Sequence, residues 1–94
     1  YTFPMITWDE SKRKLNLGKH GIDFRDAEAI FDGPTITVED NRLSYGEQRL
    51  ITLGIVNSVV VSMTYTEREG HLRIISIRKA LKHETHFYIS KISK

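Results

Sequence analysis

Val59-Val60-Val61-Ser62-Met63-Thr64-Tyr65, then Glu69-Gly70, then Leu72-Arg73-Ile74-Ile75-Ser76 is the passage on which the fold turns. Both outer runs are rich in β-branched residues and the dipeptide between them is a turn signal, so they predict two strands joined tightly and paired antiparallel. Upstream, residues 35–39 and 48–53 have the same character, and Asp40-Asn41, Gly46 and Asn57-Ser58 punctuate the series. Short connections of this kind predict an antiparallel meander. Downstream, Ser76 is placed to cap a last helix on which Leu81, Thr85, Tyr88 and Ile92 repeat at helical spacing and can pack on the sheet.

Before the strands the period is helical. Ile6-Thr7-Trp8 reads as a short strand, and Asp9 can cap a basic helix that carries Lys12, Arg13, Lys14, Lys19 and His20 and ends at Gly21. Asp23 can cap a second helix with Asp26 at its N3 position and Phe24, Ala27, Ile30 and Phe31 on one face, which Gly33-Pro34 stops. These aromatics share the apolar stripe and read as core, not as platforms for stacked bases. The predicted class is α+β: a short N-terminal strand and two helices, an antiparallel sheet, then a C-terminal helix.

At 94 residues there is room for one domain, residues 1–94, and one modest core. The chain has no cysteine, hence no disulfide framework and no thiolate metal site, which fits a reducing, cytoplasmic setting. No apolar run approaches the length of a membrane span and no secretory leader is recognisable, so no membrane role is expected. Tyr1 to Pro4 read as a remnant of cloning ahead of a natural start at Met5. The net charge of +2 hides a division: residues 1–64 carry seven Lys/Arg against nine Asp/Glu, and residues 65–94 carry seven against three. The anion-binding surface is expected in the C-terminal third, although a solvated helix face would leave the same imbalance.

Ile6-Thr7-Trp8-Asp9, Asn16-Leu17-Gly18-Lys19-His20-Gly21-Ile22-Asp23-Phe24 and the run from Ala27 to Pro34 together resemble the N-terminal signature of BrnT-type toxins. Gly46-Glu47-Gln48-Arg49, Tyr65-Thr66-Glu67-Arg68 and Arg73-Ile74-Ile75-Ser76-Ile77-Arg78-Lys79-Ala80 extend the likeness in order to about Tyr88. Ile77 stands where many such proteins have Ala, and His83 and His86 where basic residues are frequent. The resemblance implies a RelE-like fold and a cofactor-free ribonuclease that arrests growth by inhibiting translation. It also implies neutralisation by a ribbon-helix-helix antitoxin of the BrnA type, with operator DNA bound only through that antitoxin.

The residue chemistry can be argued separately. RNA cleavage without a metal needs a group to take the 2′-OH proton, a group to protonate the leaving 5′ oxygen, and cations on the phosphate. Glu67 and His20 are candidates for proton transfer, Arg73 and Arg78 for phosphate stabilisation, and Arg68, Lys79, Lys82 and Tyr88 for holding substrate. On an unbroken strand Arg73 and Arg78 point to opposite faces, so they converge only if Arg78 already lies in the helical turn begun by Ser76. Each candidate has a plainer reading: Glu67 and Arg68 as hairpin residues, His20 as a favourable C-terminal helix residue, Lys82 and Glu84 as solvated charges, and Tyr88 as core. His83-Glu84-Thr85-His86 falls one residue short of the zinc motif H-E-x-x-H and lacks an obvious third ligand, so no metal is expected. A non-catalytic module gripping antitoxin or RNA is the alternative. A DNA-binding regulator comes third, since no convincing recognition helix is present.

Overall fold

The computed structural model describes residues 5–40 and 47–93; the readings placed on Tyr1 to Pro4, on Asn41 and on Gly46 lie outside the described residues. In chain order the elements are β1 (Met5–Trp8), α1 (Glu10–His20), a 3-10 turn (Phe24–Asp26), α2 (Ala27–Asp32), β2 (Ile36–Glu39), β3 (Arg49–Val56), β4 (Val59–Arg68), β5 (His71–Lys79) and α3 (Lys82–Ile92). The sheet runs β1-β5-β4-β3-β2. β2 to β5 form the expected antiparallel meander, and β1 returns to pair in parallel with β5. Both tight hairpins, Asn57-Ser58 and Glu69-Gly70, have positive φ at their two central residues, the twist that suits a two-residue link between strands.

One face of the sheet is covered by the 3-10 turn and α2. Phe24, Ala27 and Ile30 bury themselves against Val61, Met63, Tyr65, Leu72, Ile74 and Ile77, with Trp8 and Phe31 packed at the margin. Trp8 meets Phe24 edge-on at 6.4 Å and Phe31 meets Tyr65 at 5.6 Å. Gly54 makes this approach possible: a Cβ there would lie 2.7 Å from Ile30 Cγ2. Phe24 is therefore core, as the spacing predicts, while Phe31 packs half-buried at the core's margin.

The edge of β5 is closed in two ways. β1 pairs with it from His71 to Ile74 and then ends. Beyond that, α1 brings the buried Asn16 carboxamide to Ile77, donating to its carbonyl at 2.8 Å and accepting from its N–H at 3.2 Å, while also donating to Ile22 O at 3.0 Å. A side chain thus supplies the pairing that a strand would otherwise provide. The ends of α1 form as read, with Asp9 accepting from the N–H of Ser11 and Lys12 and Gly21 in the left-handed conformation. Arg13, counted above among the basic residues of α1, is buried and paired with Glu10 and Asp23. Its hydrogen bonds pull the Glu10 carboxyl down to about 2.

Three local expectations need correction. Asp23 caps the 3-10 turn by accepting from Arg25 N at 2.9 Å while it also holds Arg13, and α2 begins only at Ala27, with Asp26 at its cap and not at N3. Ser76 caps no helix, because Ile77, Arg78 and Lys79 go on pairing with β4 and α3 starts at Lys82. There the cap is Glu84, whose carboxylate reaches back to Leu81 N at 2.8 Å. Of the stripe proposed for α3, only Tyr88 is fully buried, Thr85 is half-buried, and Leu81 and Ile92 are 53% and 36% exposed. The helix is held instead by Tyr88, whose hydroxyl donates to Pro34 O at 2.6 Å, and by a bidentate pair between Arg78 and Glu84 at 2.8 and 3.0 Å.

Asn16→Leu should lower stability in urea denaturation by about 2–4 kcal/mol, because it strands a buried backbone N–H and carbonyl at Ile77. A loss under about 1 kcal/mol would show that the carboxamide is not needed to close the edge. Glu84→Gln tests the other clamp. Hydrogen bonding to Arg78 holds the Glu84 carboxyl below its ordinary range, so its contribution is complete above that range and fades as the pH falls through the folded-state value. The variant should be less stable by about 1–2 kcal/mol at pH 7, with the gap closing as the pH is lowered beneath the ordinary carboxylate range.

Candidate active site

The sheet face opposite α2 carries the cationic side chains, and register explains why. Side chains of directly paired residues share a face. Between Thr64 and Tyr65 of β4 the pairing with β5 jumps from Ser76 to Ile74, which leaves Ile75 as an extra, bulged residue. The bulge reverses the alternation along β5, so Arg73, paired with Thr66, and Arg78, paired with Ser62, stand on the same face. The convergence that the sequence alone allows only through an early helix is produced by a bulge within the strand.

Successive rows can then be read across the sheet. Thr7, Arg73, Thr66 and Arg49 form one row; Ser76, Thr64, Ile51 and Val38 the next; Arg78, Ser62, Leu53 and Ile36 a third. His71 and Arg68, paired at the hairpin, continue the same face beyond the first row. α3 lies over the β2 and β3 side, where His83, Glu84 and Phe87 meet Ile36, Val38, Ile51 and Leu53 around a cleft of about 160 Å³. The β4 and β5 side carries Arg68, Arg73 and Arg78, and Arg49 stands at the start of β3.

Carboxylates stand at both ends of this surface. Glu84 neutralises Arg78 at one end, and Glu47 pairs with Arg68 at the other. Between them Arg73 is half-buried and makes no ion pair with a described residue. Thr66 beside it is 1% exposed, and its hydroxyl has no hydrogen-bond partner among the described residues.

The sequence-derived candidates divide accordingly. Arg73, Arg78 and Arg68 come together on this face. Glu67 does not: it pairs with the core residue Leu72 and projects, exposed, from the face that α2 covers. Lys79 pairs with Val61 and is exposed on that same far side. His20 ends α1 at the edge of the sheet, sharing a cleft of about 230 Å³ with Lys12, Lys19, Ile75 and Ser76, directly beside the bulge. A second cleft joins His20 to Lys79. Lys82 is exposed at the start of α3. Tyr88 is not presented to a substrate here; burial raises its pKa, and its hydroxyl is committed to Pro34. Arg49, Thr66 and His71 share the arginine face without having been singled out from the sequence, since only the register places them there.

Among the described residues no three His, Asp or Glu side chains converge to hold a metal, and no helix is long and apolar enough to cross a membrane. The arrangement is suited to binding a polyanion at a cationic sheet, with the His20 imidazole at the sheet's edge beside the bulge. No curated protein matches the chain in sequence. The family described as "Ribonuclease toxin, BrnT, of type II toxin-antitoxin system" matches it over residues 8–84, a span that takes in α1, the bulge and all four arginines of the face, and the chain belongs to that family.

Proposed function

We propose that this protein cleaves single-stranded RNA without a metal ion, and the observation that carries the reading is the placement of Arg73 and Arg78 on one sheet face by the bulge at Ile75. The 2′ oxygen attacks the adjacent phosphorus as the bond to the 5′ oxygen breaks. One proton leaves the 2′-OH for a base and one reaches the departing 5′ oxygen from an acid, giving a 2′,3′-cyclic phosphate and a free 5′-OH. Charge accumulates on the non-bridging oxygens, and guanidinium donors aimed at them favour the transition state over the ground state.

Arg73 is the principal phosphate ligand, since its charge is not shared with a carboxylate among the described residues. Arg78, oriented by Glu84, supports the neighbouring phosphate. His20 is the better placed of the two proton-transfer candidates, because it borders the bulge while Glu67 lies on the far side. Arg68, Lys79 and Lys82 extend the basic surface along which the strand runs, and Tyr88 serves by positioning α3. A type II toxin has an antitoxin partner. In this reading it is a ribbon-helix-helix protein of the BrnA type that covers the cationic face with acidic and apolar groups, and operator DNA is bound through the antitoxin alone. The protein works in the cytoplasm as a single RelE-like domain, and RNA cleavage there stops translation and growth.

Purified protein should cleave single-stranded RNA in EDTA and leave 2′,3′-cyclic or 3′ phosphate ends. Arg73→Ala, prepared identically, should lose at least about tenfold in rate, corresponding to about 1.4 kcal/mol of transition-state stabilisation. Activity abolished by the chelator would remove the metal-free mechanism. Equal activity in the variant would point to a contaminating nuclease.

A further inference from the structure

We infer that Arg49, Thr66 and Arg73 form a binding row for one RNA phosphate, with Thr66 as its floor. The inference rests on the ribonuclease reading and adds to it two residues and a definite location. Thr66 of β4 is paired with Arg49 of β3 on one side and with Arg73 of β5 on the other, so all three side chains rise from one face in one line. Neighbouring strands are about 4.8 Å apart, which sets the two arginine backbones about 10 Å from each other with the threonine midway. That spacing sets Arg49 and Arg73 on opposite sides of a phosphate seated over Thr66, with the Arg73 guanidinium as the fork that takes its oxygens.

The floor of the row points to a ligand independently. The Thr66 hydroxyl is buried and has no hydrogen-bond partner among the described residues, a costly arrangement for a residue that valine could replace isosterically. The hydroxyl gains an acceptor when an anionic oxygen enters between the arginines. At the end of the row Thr7 does not compete, since its hydroxyl faces Leu72 O at 3.4 Å. The two carboxylates at the ends of the face are occupied by Arg68 and Arg78. Arg49 also has an interaction within the fold, so a variant there can affect stability, and Thr66 is the cleaner probe.

The test uses the full chain and a 2′-O-methyl RNA oligonucleotide, which binds but cannot be cleaved, titrated at several salt concentrations by fluorescence anisotropy. Thr66→Val should bind about tenfold more weakly while its melting temperature is unchanged or higher, a combination that a purely structural hydroxyl would not give. Arg49→Gln and Arg73→Ala should each flatten the slope of log K against log salt by about 0.7, the contribution of one phosphate contact on a single strand. Arg25→Ala removes the same charge from the exposed 3-10 turn and should leave the slope unchanged. If Thr66→Val binds like the unmodified protein, the row is overturned even where Arg73→Ala weakens binding, and the ribonuclease reading then stands. If Arg25→Ala weakens binding as much as Arg49→Gln does, the effect is net charge and the row is likewise overturned. Should Arg49→Gln fail to fold, Thr66→Val decides. Protein that neither binds nor cleaves RNA removes the reading and the row together.

Discussion

The pair of hydrogen bonds from the Asn16 carboxamide to the backbone of Ile77 holds β5 in place where β1 has run out. Much of the candidate site depends on that closure. β5 departs from regular pairing at Ile75, and a bulge loosens the ladder locally. A strand with a bulge in its middle and a bare edge beyond it would be free to slip, and a one-residue slip sends every side chain to the other face. Asn16 fixes the backbone at Ile77, two residues past the bulge and one before Arg78. The parity that sets Arg73 and Arg78 side by side is therefore secured from the edge by α1, whose own register is fixed by the Asp9 cap and the Arg13 ion pairs.

Much of this could be read from residues alone. Asp9 and Gly21 bracket α1 through local capping chemistry, and Asn57-Ser58 and Glu69-Gly70 mark hairpins because the backbone there must adopt positive φ. Such signals need no knowledge of distant contacts. Ser76 misleads for the opposite reason. As a serine ahead of Leu81 and Tyr88 it satisfies the local rule for a cap, yet the burial of Ile77 and its bonds to Asn16, sixty-one residues away, keep the chain extended. The tertiary term wins, and the cap passes to Glu84.

The face itself was only partly legible. Arg73 and Arg78 attract notice as cations on a strand, but their alternation argues against a shared site until the bulge is known, and nothing in Ile74-Ile75-Ser76 announces a bulge. Arg49 and Thr66 belong to different strands from Arg73 and are linked to it only by cross-strand register, a relation that no single strand carries. Glu67 errs the other way: its position beside Arg68 places it near the cations in sequence, and the two-residue period of the strand turns it away from them.

Charge along the face follows from the same geometry. Guanidinium groups gathered on three adjacent strands repel one another, and the repulsion is least where a carboxylate sits beside one. Glu47 and Glu84 do this at the two ends, and both also restrain structure, Glu47 next to the start of β3 and Glu84 at the cap of α3. Arg73, midway, has no such companion among the described residues. The positive potential of the face is thus relieved at its ends and left uncompensated at the residue that lies beside Thr66, upstream of the bulge. A polyanion drawn to this surface gains most where the protein has neutralised least, so the pairing at Arg68 and Arg78 sharpens the site as well as stabilising the fold.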